Sequence, residues 1–200
     1  MATEIELKAH VRDSEVLRAL LCEKAEYSNA FEKEDQYWSN EATFPAQSKP
    51  ISRLRIRREK HSFPDGREES GCVASYKNKL VRDGIEVNDE REFQVNPVSD
   101  FEDFLLKMGF KPGDSKRKRG WAFSYGEINA ELVEVEGLGW FVELEILIND
   151  IQADGMAASG KHEKIFKDSR KKLLDFLDKL GIKRKAIESR FYSDMLKEVK

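Results

Sequence analysis

Charged residues fall at every second position in six short segments of this chain. Acids alternate at Glu4/Glu6, Glu90/Glu92 and Glu143/Glu145, and bases at Arg53/Arg55/Arg57, Lys77/Lys79 and Arg117/Arg119. A period of two is β-strand spacing, and residues two apart project from the same face, roughly 6–7 Å from each other. The alternate positions are apolar in the clearest cases: Ile5, Leu7, Ala9 and Val11 against Glu4, Glu6, Lys8 and His10, and Leu54 and Ile56 against the three arginines. A solvated outer face explains any one such strand. It explains six together less well, because the apolar faces must then form the only core. The alternative is a sheet closed into a barrel, with apolar faces turned outward under helices and charged faces lining the interior. Such an interior is costly unless its charges are paired or bind ligands.

Strands are expected at 3–11, 32–38, 52–59, 72–79, 86–95, 116–125, 127–134 and 140–148, with a hairpin tip over His61–Gly71 and a loop at 40–50 around Pro45 and Pro50. Asp13 caps a helix carrying Val16, Leu17, Leu20 and Leu21. A second helix, 98–108, presents Phe101, Phe104, Leu105 and Met108 and stops at Gly109. A third, 162–180, carries a stripe of Phe166, Leu173, Leu177 and Leu180, and a short last helix runs through Tyr192 and Leu196. No βαβ rhythm appears, so the expected class is α+β with an eight-stranded antiparallel sheet. The 200 residues suit one domain, 1–200.

Lys and Arg number 35 against 38 Asp and Glu, a net charge of -3, which argues against a non-specific nucleic-acid binder; no DNA partner is expected. No window approaches the ~20 apolar residues of a membrane helix. The N-terminus lacks a secretory signal, and Cys22 and Cys72 have no metal-like spacing, so a cytoplasmic, reducing setting is expected. A homodimer is compatible with this reading.

Clustered carboxylates suit a hard divalent cation such as Mg²⁺ or Mn²⁺. Clustered bases suit a polyanion, Arg through its bidentate fork and Lys as a point charge. A metal-bridged chain of phosphates satisfies both walls at once.

The motifs also resemble, in order, those of the CYTH superfamily, the triphosphate tunnel metalloenzymes. Glu4-Ile5-Glu6-Leu7-Lys8 resembles its E-x-E-x-K signature and Asp35-Gln36-Tyr37-Trp38 its D-x-Y-aromatic strand. Leu54-Arg55-Ile56-Arg57 is similar to L-R-x-R, Ser75-Tyr76-Lys77 to T-Y-K, and Arg117/Arg119 fall where the family has K-x-R. Gly137-Leu138-Gly139-Trp140-Phe141-Val142-Glu143-Leu144-Glu145 resembles G-L-G-x-F-x-E-x-E, and the tail from Arg190 to Leu196 resembles the class IV adenylyl cyclase branch. Departures are Gln94 at a place where a carboxylate is common, and Val133 where many members carry Asp, with Glu131 two residues earlier on the same face.

The resemblance implies a closed eight-stranded antiparallel barrel enclosing a tunnel, and a metal-dependent enzyme acting on ATP or another triphosphate-bearing molecule. On that basis Glu4, Glu6, Glu143, Glu145 and Glu131 are the expected metal ligands. Lys8, Arg53, Arg55, Arg57, Lys77, Lys79, Arg117 and Arg119 are the expected phosphate ligands. Glu90 and Glu92 are candidates to orient a water, and Lys77 to act in catalysis. The reaction the resemblance favours is that of a class IV adenylyl cyclase, ATP to cyclic AMP and pyrophosphate; the alternative is a triphosphatase hydrolysing inorganic triphosphate, thiamine triphosphate or nucleoside triphosphates. A non-catalytic polyphosphate- or nucleotide-binding module is the competing class, and a basic-strand RNA-binding domain a third, which predicts exposed aromatics on the Arg faces that this sequence lacks. Outside the motifs, His10 reads as a rim residue, His61 and His162 as exposed, Cys22 as core, Tyr37 as packing or a phosphate donor, Tyr192 as a lid or a helix anchor, and Lys183-Arg184-Lys185 as a solvated face.

Overall fold

The computed structural model describes residues 2–40, 51–149 and 160–199. In chain order the elements are β1 (Ala2–His10), α1 (Ser14–Lys24), β2 (Glu26–Ser39), β3 (Ile51–Ser62), β4 (Glu68–Arg82), β5 (Ile85–Gln94) and α2 (Val98–Lys107). They continue with β6 (Lys111–Tyr125), β7 (Ile128–Val135), β8 (Gly139–Asn149), α3 (Gly160–Lys179), a 3₁₀ turn (Arg184–Ala186) and α4 (Tyr192–Val199). The class is α+β with an antiparallel sheet. Ladders run β1-β5-β4-β3-β2-β6-β7-β8, and β8 pairs back with β1, so the ring of hydrogen bonds closes into a barrel.

Every strand expected from alternation is present, most of them longer. β2 starts six residues before the expected 32, and the β3–β4 hairpin narrows the turn to residues 63–67. The reason is polar-side alternation: Glu59, Lys60, His61 and Ser62 pair in register with Gly71 to Glu68, which needs no apolar residues. The expected loop around Pro45 and Pro50 lies outside the described residues.

The main apolar core sits outside the barrel. Ile5 and Leu7 of β1, Leu132 of β7, and Val142 and Leu144 of β8 turn outward and bury against Leu17 and Leu21 of α1 and Phe166, Leu173, Phe176 and Leu177 of α3. Each such fully buried side chain contributes about 1.5–3 kcal/mol. Asp13 caps α1 as expected, accepting from the Val16 N–H at 3.1 Å. A second cluster, Trp38, Ile56 and Leu105, lies under α2, and a third joins Phe31, Val133, Val135 and Phe141 to Tyr192 and Met195 of α4. Among the described residues no helix is long and apolar enough to cross a membrane.

Three packing expectations need correction. Val16 is exposed, because α1 buries only its Leu17–Leu21 edge. Phe104 and Met108 are also exposed, because α2 presses on the sheet through Leu105 together with Val98 and Phe101, and the face that carries Phe104 and Met108 is left uncovered. Cys22 is exposed rather than in the core.

Gly120 of β6 stands opposite Val133 of β7. A Cβ there would stand 2.1 Å from the Leu132 carbonyl oxygen, so backbone must move to admit one. Gly120→Ala is expected to lower the unfolding free energy by about 1–3 kcal/mol. Gly113→Ala, in the same strand with its nearest neighbour at 3.7 Å, is the control and should change little in denaturant titration.

Candidate active site

The inward faces of the strands enclose a cavity of about 780 Å³. Its walls divide by charge because of the strand order. The contiguous half β5-β1-β8-β7 presents Glu86, Glu90, Glu92, Glu4, Glu6, Glu143, Glu145 and Glu131, while β3-β2-β6 presents Arg57, Arg55, Lys33, Lys116 and Lys118. Lys8 and Arg91 are the cations lining the acidic half.

Ion pairs stitch the halves together. Lys118 Nζ meets both Glu143 oxygens at 2.6 and 2.9 Å, and Lys33 Nζ lies 2.6 Å from Glu131. Arg55 donates to Glu90 at 2.8 Å, to Glu92 at 3.0 Å and to the Ser75 hydroxyl at 2.9 Å. Lys8 pairs with Glu86, both buried. Burial alone would raise the pKa of Glu143, but Lys118 overrides it and holds the carboxyl below the usual range. Burial likewise works to lower the pKa of Lys118, and Glu143 with Glu131 raises it on balance. At Lys116 burial wins and pulls the ammonium down. Glu92, half-buried, is pushed up by burial and then by neighbouring Glu90, with Arg55 offsetting part of the effect.

Phe191, immediately before α4, and Tyr192 and Ser193 in its first turn join the lining. The Tyr192 ring lies 4.9 Å from Lys118 Nζ and 5.4 Å from both Lys8 and Lys116 Nζ, and it packs edge-on against Phe141. Its hydroxyl is raised well above the ordinary tyrosine value by burial and the Glu143 charge, so it stays protonated. The approach to α4 is strapped down: the Glu188 N–H donates to the Lys8 carbonyl at 2.9 Å, and its carboxylate, held at a pKa of about 2 by Arg190, also meets His10 at 3.2 Å.

Of the residues expected from sequence, Glu4, Glu6, Lys8, Arg55, Arg57, Glu90, Glu92, Glu131, Glu143 and Glu145 all line the cavity. Lys77 holds the register position opposite Arg53 and Glu90; the side chains of Arg53, Lys77 and Lys79 lie outside the described residues, as does that of His162. Arg117 and Arg119 are a correction. They are exposed on the barrel exterior, bound to Glu34 and Glu134. The parity of β6 is fixed by Trp121 and Phe123, which pack outward, so the even positions Lys116 and Lys118 turn inward. The same counting, from Ile85 and Val87, would have found Glu86. Lys33 needed the parity of Phe31 and Asp35 in β2. His61 is half-buried and bonded to Asn29 at 2.9 Å rather than exposed.

The acidic half fits a divalent cation chemically. Glu6 stands directly opposite Glu145, and Glu131 opposite Glu143. Like charges in such cross-strand positions destabilise a sheet, and an all-oxygen donor set is the kind Mg²⁺ or Mn²⁺ takes. Among the described residues no three acidic, histidine or cysteine side chains are drawn together into a ready-made metal cage.

Comparison with known proteins agrees with this architecture. The CYTH domain family model matches residues 2–192. The PH1819 protein of Pyrococcus horikoshii OT3 is similar in fold, with 24% identity, a TM-score of 0.77, and 98% of this chain and 99% of that one covered. HpAC1 of Hippeastrum, provisionally an adenylyl cyclase and described as revealing a dominant triphosphatase activity, is similar at 19% identity and a TM-score of 0.66, covering 100% and 97% of the two chains. A Methanocaldococcus jannaschii protein provisionally named an adenylate cyclase is 30% identical over 84 residues, 42% of this chain and 48% of its own. The chain thus spans about half the length of the curated relative it matches. With a family model covering nearly all of its residues and a charged bore inside its sheet, the chain belongs to the CYTH domain family.

Proposed function

We propose that this protein is a divalent-metal-dependent enzyme that cleaves a phosphoanhydride bond of a triphosphate-bearing substrate. The observation that carries the reading is the split interior: one half supplies cations to grip a chain of phosphates, and the facing half supplies carboxylates to hold a metal against it. Lys33, Arg55, Arg57, Lys116 and Lys118, with Lys8 from the opposite wall, bind the phosphates and neutralise charge that develops as the P–O bond breaks. Lys77 and Lys79 of β4 are proposed to join them. Glu4, Glu6 and Glu145, with Glu131 and Glu143, are the residues that would hold Mg²⁺ or Mn²⁺. When bound, such an ion supplies Lewis-acid polarisation of phosphoryl oxygens.

In the hydrolytic reading a water attacks the terminal phosphorus, and the Glu90–Glu92 pair beside Arg55 orients it and accepts its proton. The raised pKa of Glu92 suits it to accept that proton. The cyclase reading has its own support. A cavity of about 780 Å³ is nucleotide-sized rather than fitted to a bare triphosphate. There the ribose 3′-hydroxyl attacks the α-phosphorus of ATP and pyrophosphate leaves. The provisional cyclase names of relatives and the triphosphatase activity described for HpAC1 support the two readings in turn.

A product assay tests the proposal: purified protein with ATP, thiamine triphosphate or tripolyphosphate, each with Mg²⁺ or Mn²⁺. Orthophosphate release identifies hydrolysis, and cyclic AMP with pyrophosphate identifies cyclisation. Binding without any product would show a non-catalytic module instead. Glu4→Gln combined with Glu6→Gln should abolish metal-dependent turnover and leave the circular dichroism spectrum unchanged; unaltered turnover would remove these residues from the metal site. For hydrolysis the ionised Glu92 is required, so kcat falls as pH drops through its pKa, which lies above the ordinary 4.5. Glu92→Gln should remove that acid limb and lower kcat by about 10²–10⁴-fold. A pH profile of kcat identical in the variant and the parent protein would exclude Glu92 as the base.

A further inference from the structure

Asp35 is the odd charge in the basic half. Its side chain is 1% exposed, and it does not line the cavity, so it lies behind the cations rather than among them. The register explains how it got there. Asp35 of β2 stands directly opposite Arg57 of β3 on one side and Lys116 of β6 on the other. Arg57 grips it through Nε at 2.7 Å and Nη2 at 3.1 Å, Lys116 Nζ lies 3.1 Å away, and Arg55 Nη1 closes the group at 3.9 Å.

Neighbouring strands are about 4.8 Å apart, so cations on β3 and β6 start roughly 10 Å from each other and repel. One carboxylate between them draws both inward from opposite sides. Lys116 is fixed further by donating to the Tyr37 hydroxyl at 3.2 Å. Arg57 and Lys116 share this one anion, so the trio keeps a net positive charge toward the cavity, while Arg55 is bound as well to Glu90 and Glu92. The carboxyl itself resists protonation: burial works to raise its pKa, but Arg57, Lys116 and Arg55 hold it well below the usual range.

We propose that Asp35 is a positioning residue: it sets the spacing and orientation of Arg57 and Lys116 as a preformed cradle for successive phosphates without itself touching substrate or metal. This rests on the triphosphate reading above. It separates two quantities that usually fall together. Removing a negative charge from a basic wall favours binding of a polyanion, whereas releasing the cations from their fixed places disfavours the transition state. A residue needed only for folding would shift neither quantity in the folded fraction.

The test compares the parent protein with Asp35→Asn and Asp35→Glu, using tripolyphosphate. Affinity is read by calorimetry without metal and turnover with Mg²⁺. For Asp35→Asn, kcat should fall by at least about tenfold, while the calorimetric Kd stays equal or becomes tighter. Asp35→Glu keeps the charge but lengthens the side chain; it should lose kcat with no gain in affinity and with an unchanged melting temperature. Glu34→Gln, which loosens only the exterior contact to Arg117, should match the parent protein. If Asp35→Asn does not fold, Asp35→Glu decides alone. Parent-like kcat in the folded variants, or a loss of affinity that accounts for the whole loss of kcat/KM, overturns the positioning role. A parent protein that neither binds nor cleaves tripolyphosphate, ATP or thiamine triphosphate overturns the triphosphate reading, and this inference with it; where only one of them is cleaved, the same comparison of variants is made with that substrate.

Discussion

Burying charge is the constraint on which this structure turns. An ion taken out of water costs several kcal/mol even after relaxation, and a partner repays that cost only with good geometry. This protein takes at least a dozen ionic side chains into one cavity and meets the cost by arrangement. The strand order puts acids on one contiguous half and bases on the other, so attraction acts across the bore and at the two seams, through Lys118–Glu143, Lys33–Glu131 and Arg55–Glu90. Most of the hydrophobic work is done on the outer face, under α1 and α3, while a smaller cluster of Phe31, Val133, Val135 and Phe141 shares the inner face where α4 packs. The main apolar core and the charged bore therefore occupy opposite sides of the same strands, and period-two alternation is what allows both.

The internal pairs have a second consequence. Glu143 and Glu131 are engaged by lysines, and those lysines are engaged by them. A cation alone must compete with Lys118 and Lys33, and a phosphate alone must compete with the carboxylates. A metal–triphosphate ligand brings both charges, so each half of the broken pair finds a replacement partner. On the proposed function, the two ligands would favour each other's binding through this exchange, and reciprocity would follow from linkage. Asp35 stands outside the exchange, since its partners are the cations Arg57 and Lys116.

How much of this was legible in the sequence depended on parity. The acids of β1 and β8 and Arg55/Arg57 of β3 were readable because apolar residues alternate with them without a break. Arg117 and Arg119 misled because both parities of that segment are basic, Lys116-Arg117-Lys118-Arg119, and charge alone does not choose a face. Only the aromatic residues further along, Trp121 and Phe123, reveal which side is covered by helices. Lys33 was hidden for a related reason: Glu32 to Asp35 is charged at every position, so no alternation is visible, and Asp35 was legible only as part of a motif, without a role. The exposed Phe104 and Met108 show the converse, since a helical apolar stripe says which face can be buried but not how much of it the sheet reaches.

The same charge arrangement sets how the molecule responds to acid. Asp35 and Glu143 have pKa values lowered in the folded state by cations that an unfolded chain would not hold in place. Their contribution to stability is complete above the ordinary carboxylate range and is lost as pH falls toward their lowered values. Glu92 runs the other way: its raised pKa means that it takes up a proton first, while Asp35 and Glu143 are still ionised. As pH drops the bore therefore loses the carboxylate proposed to act on water before it loses the ones that hold its cations. The difference lies in the balance at each carboxyl: at Glu92 burial and then Glu90 outweigh Arg55, whereas at Asp35 the cations Arg57, Lys116 and Arg55 outweigh burial.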